Sequence, residues 1–155
     1  MTGLTSTVFA VEATPYDLTD SSIIAVTTSA ADSQVTLFKK GSPSKQAVIT
    51  GFVATPATSH YQRIETLYTV WTIAGGKITV YTWDNSNLTG AKTVTVDSTT
   101  VGIPVAANFC PVSVQSNPAD PGQTYVVSSC DNGQNAIVRI FTLEVSQDQD
   151  KTLKV

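Results

Sequence analysis

The segment around which this chain is organised runs from Leu67 to Val96 and reads LYTVWTIAGGKITVYTWDNSNLTGAKTVTV. Apolar and polar residues alternate within it in three short segments, which is the period of a strand with one buried face. Gly75-Gly76 joins the first two segments, as is typical of a tight hairpin, and the turn-forming residues 84–90 join the last two. The predicted strands of this antiparallel meander are Leu67–Ile73, Lys77–Trp83 and Lys92–Val96.

The same pattern occurs twice more along the chain. In each occurrence a strand containing Phe is followed, 17 or 18 residues later, by a strand with a central Val. A turn, a strand with an aliphatic–aromatic pair and an alternating strand that begins with Lys come next. The Phe and Val positions are Phe9 and Val26, Phe52 and Val70, and Phe109 and Val127. The pairs are Leu37-Phe38, Val80-Tyr81 and Ile140-Phe141, and the last strands begin at Lys45, Lys92 and Lys151.

The repeat unit is therefore predicted to be four antiparallel strands, a to d in chain order. Three units span 5–50, 51–97 and 103–155, and they make residues 1–155 a single all-β unit. No segment has helical periodicity over more than one or two turns. Pro111 falls inside a predicted strand, and because proline lacks a backbone N–H we expect it at a sheet edge or at a bulge.

Units of four antiparallel strands and about 45–55 residues resemble the blades of a β-propeller. The resemblance covers nearly the whole chain but points to no subfamily, since the units lack the Gly-His and Trp-Asp pairs of WD40 repeats. It implies a radial arrangement with strand a innermost. Three units would form part of a ring, continued by further blades, or half of a six-bladed ring closed by another copy of the chain. A β-sandwich is the alternative fold.

The composition excludes several classes of protein. The 155 residues are 41% hydrophobic and only 14% charged, below the ~25% charged that is typical of soluble domains. The net charge is −3 and the nine Lys and Arg residues are scattered, so the chain lacks the basic patch that nucleic-acid binding requires. No apolar run approaches the ~20 residues needed to span a bilayer.

The two cysteines, Cys110 and Cys130, fall in strands a and b of the third unit. They are equidistant from the centre of the predicted turn at Asp120, and equidistant residues of an antiparallel hairpin face each other. Their expected Cα separation is compatible with a disulfide, although two buried thiols remain the alternative. A bridge would favour an extracellular or secretory compartment.

No catalytic or metal-binding constellation is recognisable. Two Cys and one His lack the paired spacing of zinc ligands, and 131–135 lacks the alternating acids of a calcium loop. His60 is the one histidine, and no G-x-S-x-G elbow supplies a nucleophile for it. We therefore predict no cofactor, no metal and no catalytic residues. The candidate binding site is the segment with the densest mixture of aromatic rings and charged groups, which contains His60, Tyr61 and Arg63. It is predicted to lie in the a–b loop of the second unit.

The sequence thus leaves three hypotheses for function. The first is a non-catalytic propeller segment that acts as a structural or protein-interaction scaffold. The second is a carbohydrate-binding propeller that uses exposed aromatic side chains, against which the alternation of Tyr81 and Trp83 favours packing between blades. The third is part of a propeller enzyme whose site is completed by blades that this chain does not contain.

Overall fold

The computed structural model describes residues 8–13, 23–28, 34–39, 45–53, 60–84, 87–117, 119–120, 122–131, 133 and 136–155. Within these ranges the backbone forms thirteen β-strands and one short 3₁₀ turn, Ala106–Asn108, and no α-helix. None of the described segments is a helix long and apolar enough to cross a membrane. The prediction of an all-β chain is confirmed.

The first sheet contains four antiparallel strands in the order in which they occur in the chain. Each strand pairs with the one before it, and the pairing between the second and third strands places Val26 opposite Thr36. These are the four strands predicted for the first repeat unit. Their bounds are β1 Val8–Ala13, β2 Ile23–Thr28, β3 Gln34–Lys39 and β4 Lys45–Thr50.

The second sheet has the same strand order and contains the meander Leu67–Val96. Gly75 and Gly76 have φ values of 59° and 72°, as the two central residues of a type I′ hairpin require. The prediction of strand a around Phe52 is wrong, because the chain bends at 51–53 and the first strand of this sheet begins at His60. The strands are β5 His60–Ile64, β6 Leu67–Ala74, β7 Lys77–Asp84 and β8 Asn87–Val96.

The third sheet has three strands among the described residues, in the order β11-β10-β9. The predicted fourth strand at 151–155 does not join it, because Leu153 and Lys154 pair with Gln147 and Ser146 in a small separate hairpin. The prediction of four strands in the third unit is therefore wrong for these residues. The strands are β9 Pro111–Ser116, β10 Gln123–Asp131, β11 Ala136–Glu144, β12 Ser146–Gln147 and β13 Leu153–Lys154.

Pro111 begins β9, an edge strand of the described third sheet, and the register of β9 against β10 shifts at this residue. Both expectations for the proline are confirmed, since it lies at an edge and at a bulge.

Cys110 and Cys130 form a disulfide with a Cα–Cα distance of 5.2 Å. Because of the bulge, the Cys110 carbonyl accepts a hydrogen bond at 2.9 Å from the N–H of Ser129, the residue before Cys130.

The three sheets stack face to face, with the second sheet in the middle. Alternate residues of its strands enter two separate cores, so both of its faces are covered. The first core, between the first and second sheets, contains Val35, Ile49, Phe52, Tyr61, Val70 and Trp83. The second core, between the second and third sheets, includes Leu67, Trp71, Ile78, Val80, Phe109, Val126 and Leu143.

Trp83 fixes the first sheet against the second. Its indole N–H donates a hydrogen bond to the Thr50 carbonyl at the end of β4, at 2.8 Å. Its ring meets Phe52 edge to face at a centroid distance of 5.7 Å, which is a favourable aromatic geometry. The packing interpretation of the aromatic residues of the meander is thus confirmed.

The joint between the second and third sheets is a tight turn after β8. The carboxylate of Asp97 accepts hydrogen bonds from the N–H groups of Thr99 and Thr100, at 2.9 and 3.1 Å. The hydrogen bond from the Thr100 backbone is the main cause that lowers the pKa of Asp97. The Ile103 N–H closes the turn on the Ser98 carbonyl at 2.7 Å, and this geometry directs the chain toward the third sheet.

Gly51→Ala should destabilise the fold strongly. Gly51 has φ +88°, and an added Cβ would lie 2.5 Å from the Thr89 carbonyl oxygen of β8. Backbone strain and overpacking together should lower the free energy of unfolding by on the order of 3 kcal/mol. Urea denaturation followed by tryptophan fluorescence measures the loss. Gly75→Ala is the matched control, because its φ is +59° but its Cβ would meet no atom within 4 Å, so about 1–2 kcal/mol is expected.

Removal of the disulfide should also lower stability. The bond between Cys110 and Cys130 closes a loop with a sequence separation of 20. The chain-entropy treatment of a loop of this size gives about 3 kcal/mol. We expect this loss in urea denaturation of the Cys110→Ala/Cys130→Ala variant, and the same loss for the wild-type chain in a reducing buffer. Equal stability with and without reductant would contradict the bond.

Candidate functional site

His60, Tyr61 and Arg63 lie in strand β5 and not in a loop as predicted. His60 and Tyr61 are buried and Arg63 is half-buried. Neighbouring residues of a strand point to opposite faces, so Tyr61 enters the first core while His60 faces the third sheet. The structure therefore does not bring the three side chains together on one exposed surface, and the binding role predicted for them stays a prediction.

Tyr61 and Arg63 share one face of β5 with Tyr68 of β6. The rings of Tyr61 and Tyr68 stack at a centroid distance of 6.3 Å. The Arg63 guanidinium lies 5.8 Å from the centre of the Tyr68 ring, and its Nε donates a hydrogen bond to the Glu65 carbonyl. A cation–π contact at such a site contributes about 0.5–1 kcal/mol. These contacts order the start of the second sheet.

His60 and Ser116 connect the second sheet to the third. The Nε2 atom of His60 lies 2.7 Å from the Ser116 hydroxyl, across 56 residues of sequence. A serine hydroxyl against an imidazole nitrogen is the first half of a hydrolytic triad. A complete triad also contains an orienting acid and oxyanion donors. The contact observed here joins two strands, β5 and β9.

A second polar contact crosses the same pair of sheets next to this one. The hydroxyl of the buried Thr124 donates to the Gln62 side-chain oxygen at 2.9 Å. The Gln62 carbonyl accepts from the Thr69 hydroxyl at 2.7 Å, and the Trp71 indole N–H donates to that hydroxyl at 3.0 Å. Among the described residues every buried polar side-chain atom has a hydrogen-bond partner. We call His60, Gln62, Ser116 and Thr124 the polar seam.

The described residues contain no group of three or more His, Cys, Asp and Glu side chains that could hold a metal ion. In the stretch 131–135, which lacks the acids of a calcium loop, the Asp131 carboxylate accepts a hydrogen bond from the Gly133 N–H at 2.7 Å, and Gly133 has φ +82°. This is the hydrogen bond of an Asx turn.

Two surface clefts lie elsewhere on the described chain, and the polar seam lines neither of them. The larger, about 370 Å³, lies between the turn before β10 and the end of β11, where Asp120 and Glu144 face it. The Asp120 carboxylate already accepts the Gly122 N–H at 3.0 Å, so it holds the turn. The smaller cleft, about 100 Å³, lies beside Asp84 and Lys151, whose charged groups are 3.8 Å apart.

The aromatic side chains that could stack on a sugar are engaged in packing. Trp71 and Trp83 are fully buried, and both indole N–H groups donate hydrogen bonds within the protein. Tyr68 and Tyr81 are half-buried against the first core. A carbohydrate platform requires an exposed ring face. The tryptophans do not offer one.

Sequence reasoning missed Gln62, Ser116 and Thr124. The segment HYQRI does not alternate between apolar and polar residues, because polar His60 and Gln62 occupy the inward positions. The period-2 signal that identified the other strands was therefore absent. Ser116 is 56 residues from His60, and no local motif connects the two. Only the stacking of the sheets brings them together.

Comparisons with protein-family models and with curated proteins found no match for this chain.

Thr124→Val should reveal the contribution of the polar seam. Valine has nearly the same shape as threonine, but it cannot donate to the Gln62 oxygen, which would then lie buried without this donor. A lost partner of this kind costs about 1–3 kcal/mol in the free energy of unfolding. Chemical denaturation measures it. Thr95→Val in β8 is the control, since Thr95 is exposed and a change within about 0.5 kcal/mol is expected. Equal losses would contradict a special role for the seam.

Proposed function

We propose that this chain is a non-catalytic segment of the β-propeller type that acts as a structural or protein-interaction scaffold. One observation carries the proposal: the middle sheet is covered on one face by the first sheet and on the other by the third. Blades of a propeller pack in this way, each face against a neighbour. The strand order within the sheets, in which each strand pairs with the next in the chain, also supports it.

The use of the reactive side chains supports a scaffold over an enzyme. His60 and Ser116 join two sheets, the two cysteines form a disulfide, and the described carboxylates form no cluster. Side chains of these types stabilise the fold when they form bonds within the protein. The disulfide further supports a location in an oxidising compartment, extracellular or secretory, because such bonds persist there.

The first test of this proposal is for catalysis. The purified chain is incubated with chromogenic esters, glycosides and phosphoesters, beside a His60→Gln variant. We expect no turnover above buffer for either protein, because the Ser116 hydroxyl and the His60 ring serve as a contact between strands. Turnover by the wild type that His60→Gln abolishes would overturn the non-catalytic reading and favour the enzyme hypothesis.

A glycan array tests the carbohydrate-binding alternative with the same preparation. We expect no specific signal, because both tryptophan rings are buried. A signal that is lost in Tyr68→Ala or Tyr81→Ala, but is kept in the exposed-site control Thr95→Ala, would replace the scaffold proposal with a lectin function.

A further inference from the structure

Within the described part of the chain, the third sheet has one covered face and one uncovered face. Phe141 and Val126, which pair across β11 and β10, belong to the second core. The alternate residues of β10 and β11, such as Val127 and Ile140, point to the opposite side of the sheet. Val138 and Ile140 on that side are 63% and 68% exposed, although both are large and apolar. We call this side the outer face; its members from the two strands are Tyr125, Val127, Ser129, Val138, Ile140 and Thr142.

The first two repeat units show which sheet covers the position equivalent to Val138. The residue two before the aliphatic–aromatic pair is Val35 in the first unit, Ile78 in the second and Val138 in the third. Val35 is buried in the first core, which the second sheet closes. Ile78 is buried in the second core, which the third sheet closes. In each case the next sheet along the stack covers the position, and at Val138 the described chain has no next sheet.

The aromatic member of the pair shows which face of the next sheet does the covering. Tyr81 packs on the first core and Phe141 on the second, so each points back toward the preceding sheet. At each contact between sheets, the side of one sheet that carries the aliphatic member of its pair packs against the side of the next sheet that carries the aromatic member. The sheet at the other end of the stack is the first. It lies on the opposite side of the second sheet from the outer face, so the two do not meet within one stack.

We propose that the outer face binds the first sheet of a second copy of this chain, and that the first sheet of the original copy receives the outer face of the second. This inference rests on the stacked-sheet scaffold proposed above and names its partner. The two contacts are related by a two-fold axis and close six sheets into one ring. The apolar side chains Val138 and Ile140 then lose their contact with water, which is the driving force for association.

Sedimentation equilibrium of the purified chain tests the proposal. We expect a species of about twice the 16.4 kDa chain mass at micromolar concentration. Ile140→Lys should halve that mass, because it places a charge in the middle of the outer face, and its exposure in the single chain leaves folding intact. Thr142→Arg is a second variant of the same face, which adds bulk and charge without removal of an apolar group, and it should also be monomeric.

Val105→Lys is the matched control, since Val105 is an exposed valine, 52% accessible, outside the outer face. It should remain dimeric. A monomeric wild type, or Ile140→Lys and Thr142→Arg variants that stay dimeric, would overturn the proposal. So would a Val105→Lys variant that dissociates equally, or wild-type assemblies larger than a dimer.

Ile140→Cys distinguishes the head-to-tail arrangement from a symmetric contact between two outer faces. In the proposed ring each residue 140 faces the first sheet of the other copy, so no covalent dimer should form through residue 140 on oxidation. Rapid formation of that dimer would overturn the arrangement. A monomeric wild type without catalytic or glycan-binding activity would reject this inference alone, whereas turnover or a glycan signal from a dimeric protein would reject only the scaffold function.

Discussion

The second sheet is buried on both faces, and this burial governs the sequence of its strands and the packing of its two neighbours. A strand in such a sheet must present apolar side chains at odd and at even positions, because its two sets of residues enter two different cores. The stretch LYTVWTIA does this with Val70 facing the first sheet and Trp71 facing the third. Threonines at the remaining inward positions use their hydroxyls on nearby backbone carbonyls, as Thr69 does on Gln62.

The two contacts of the middle sheet differ in chemistry. Its contact with the first sheet is aromatic and is fixed by the hydrogen bond from the Trp83 indole to the Thr50 carbonyl. Its contact with the third sheet is mainly aliphatic but includes the rings of Trp71 and Phe109, and the polar seam crosses it. Hydrogen bonds are directional, so the pairs His60–Ser116 and Gln62–Thr124 select one relative position of two sheets that apolar packing alone would allow to slide.

The same constraint links the fold to the proposed role. A module built from sheets that each cover the next has, at its end, a face with the composition of an interior. The outer face of the third sheet is of this kind, with Val138 and Ile140 where the second sheet has the buried Ile78 and Val80. The side chains of His60 and Ser116 and the two cysteines, in contrast, form bonds within the protein. Such a molecule is suited to association by its surfaces, and that is the sense in which we call it a scaffold.

Local sequence patterns predict the all-β class, the strands of the first sheet, the central hairpins, and the pairing of Cys110 with Cys130 as one of two alternatives. These features depend on alternation and turn residues close together in the chain, and so they can be predicted locally. The remaining features depend on the tertiary structure. It placed His60 and Tyr61 in a strand, against opposite neighbours, because the buried His60 and Gln62 find hydrogen-bond partners on the third sheet while Tyr61 enters the first core. It also placed Leu153 in the small hairpin with Gln147, where its side chain is buried in the second core, and not in the expected fourth strand of the third sheet.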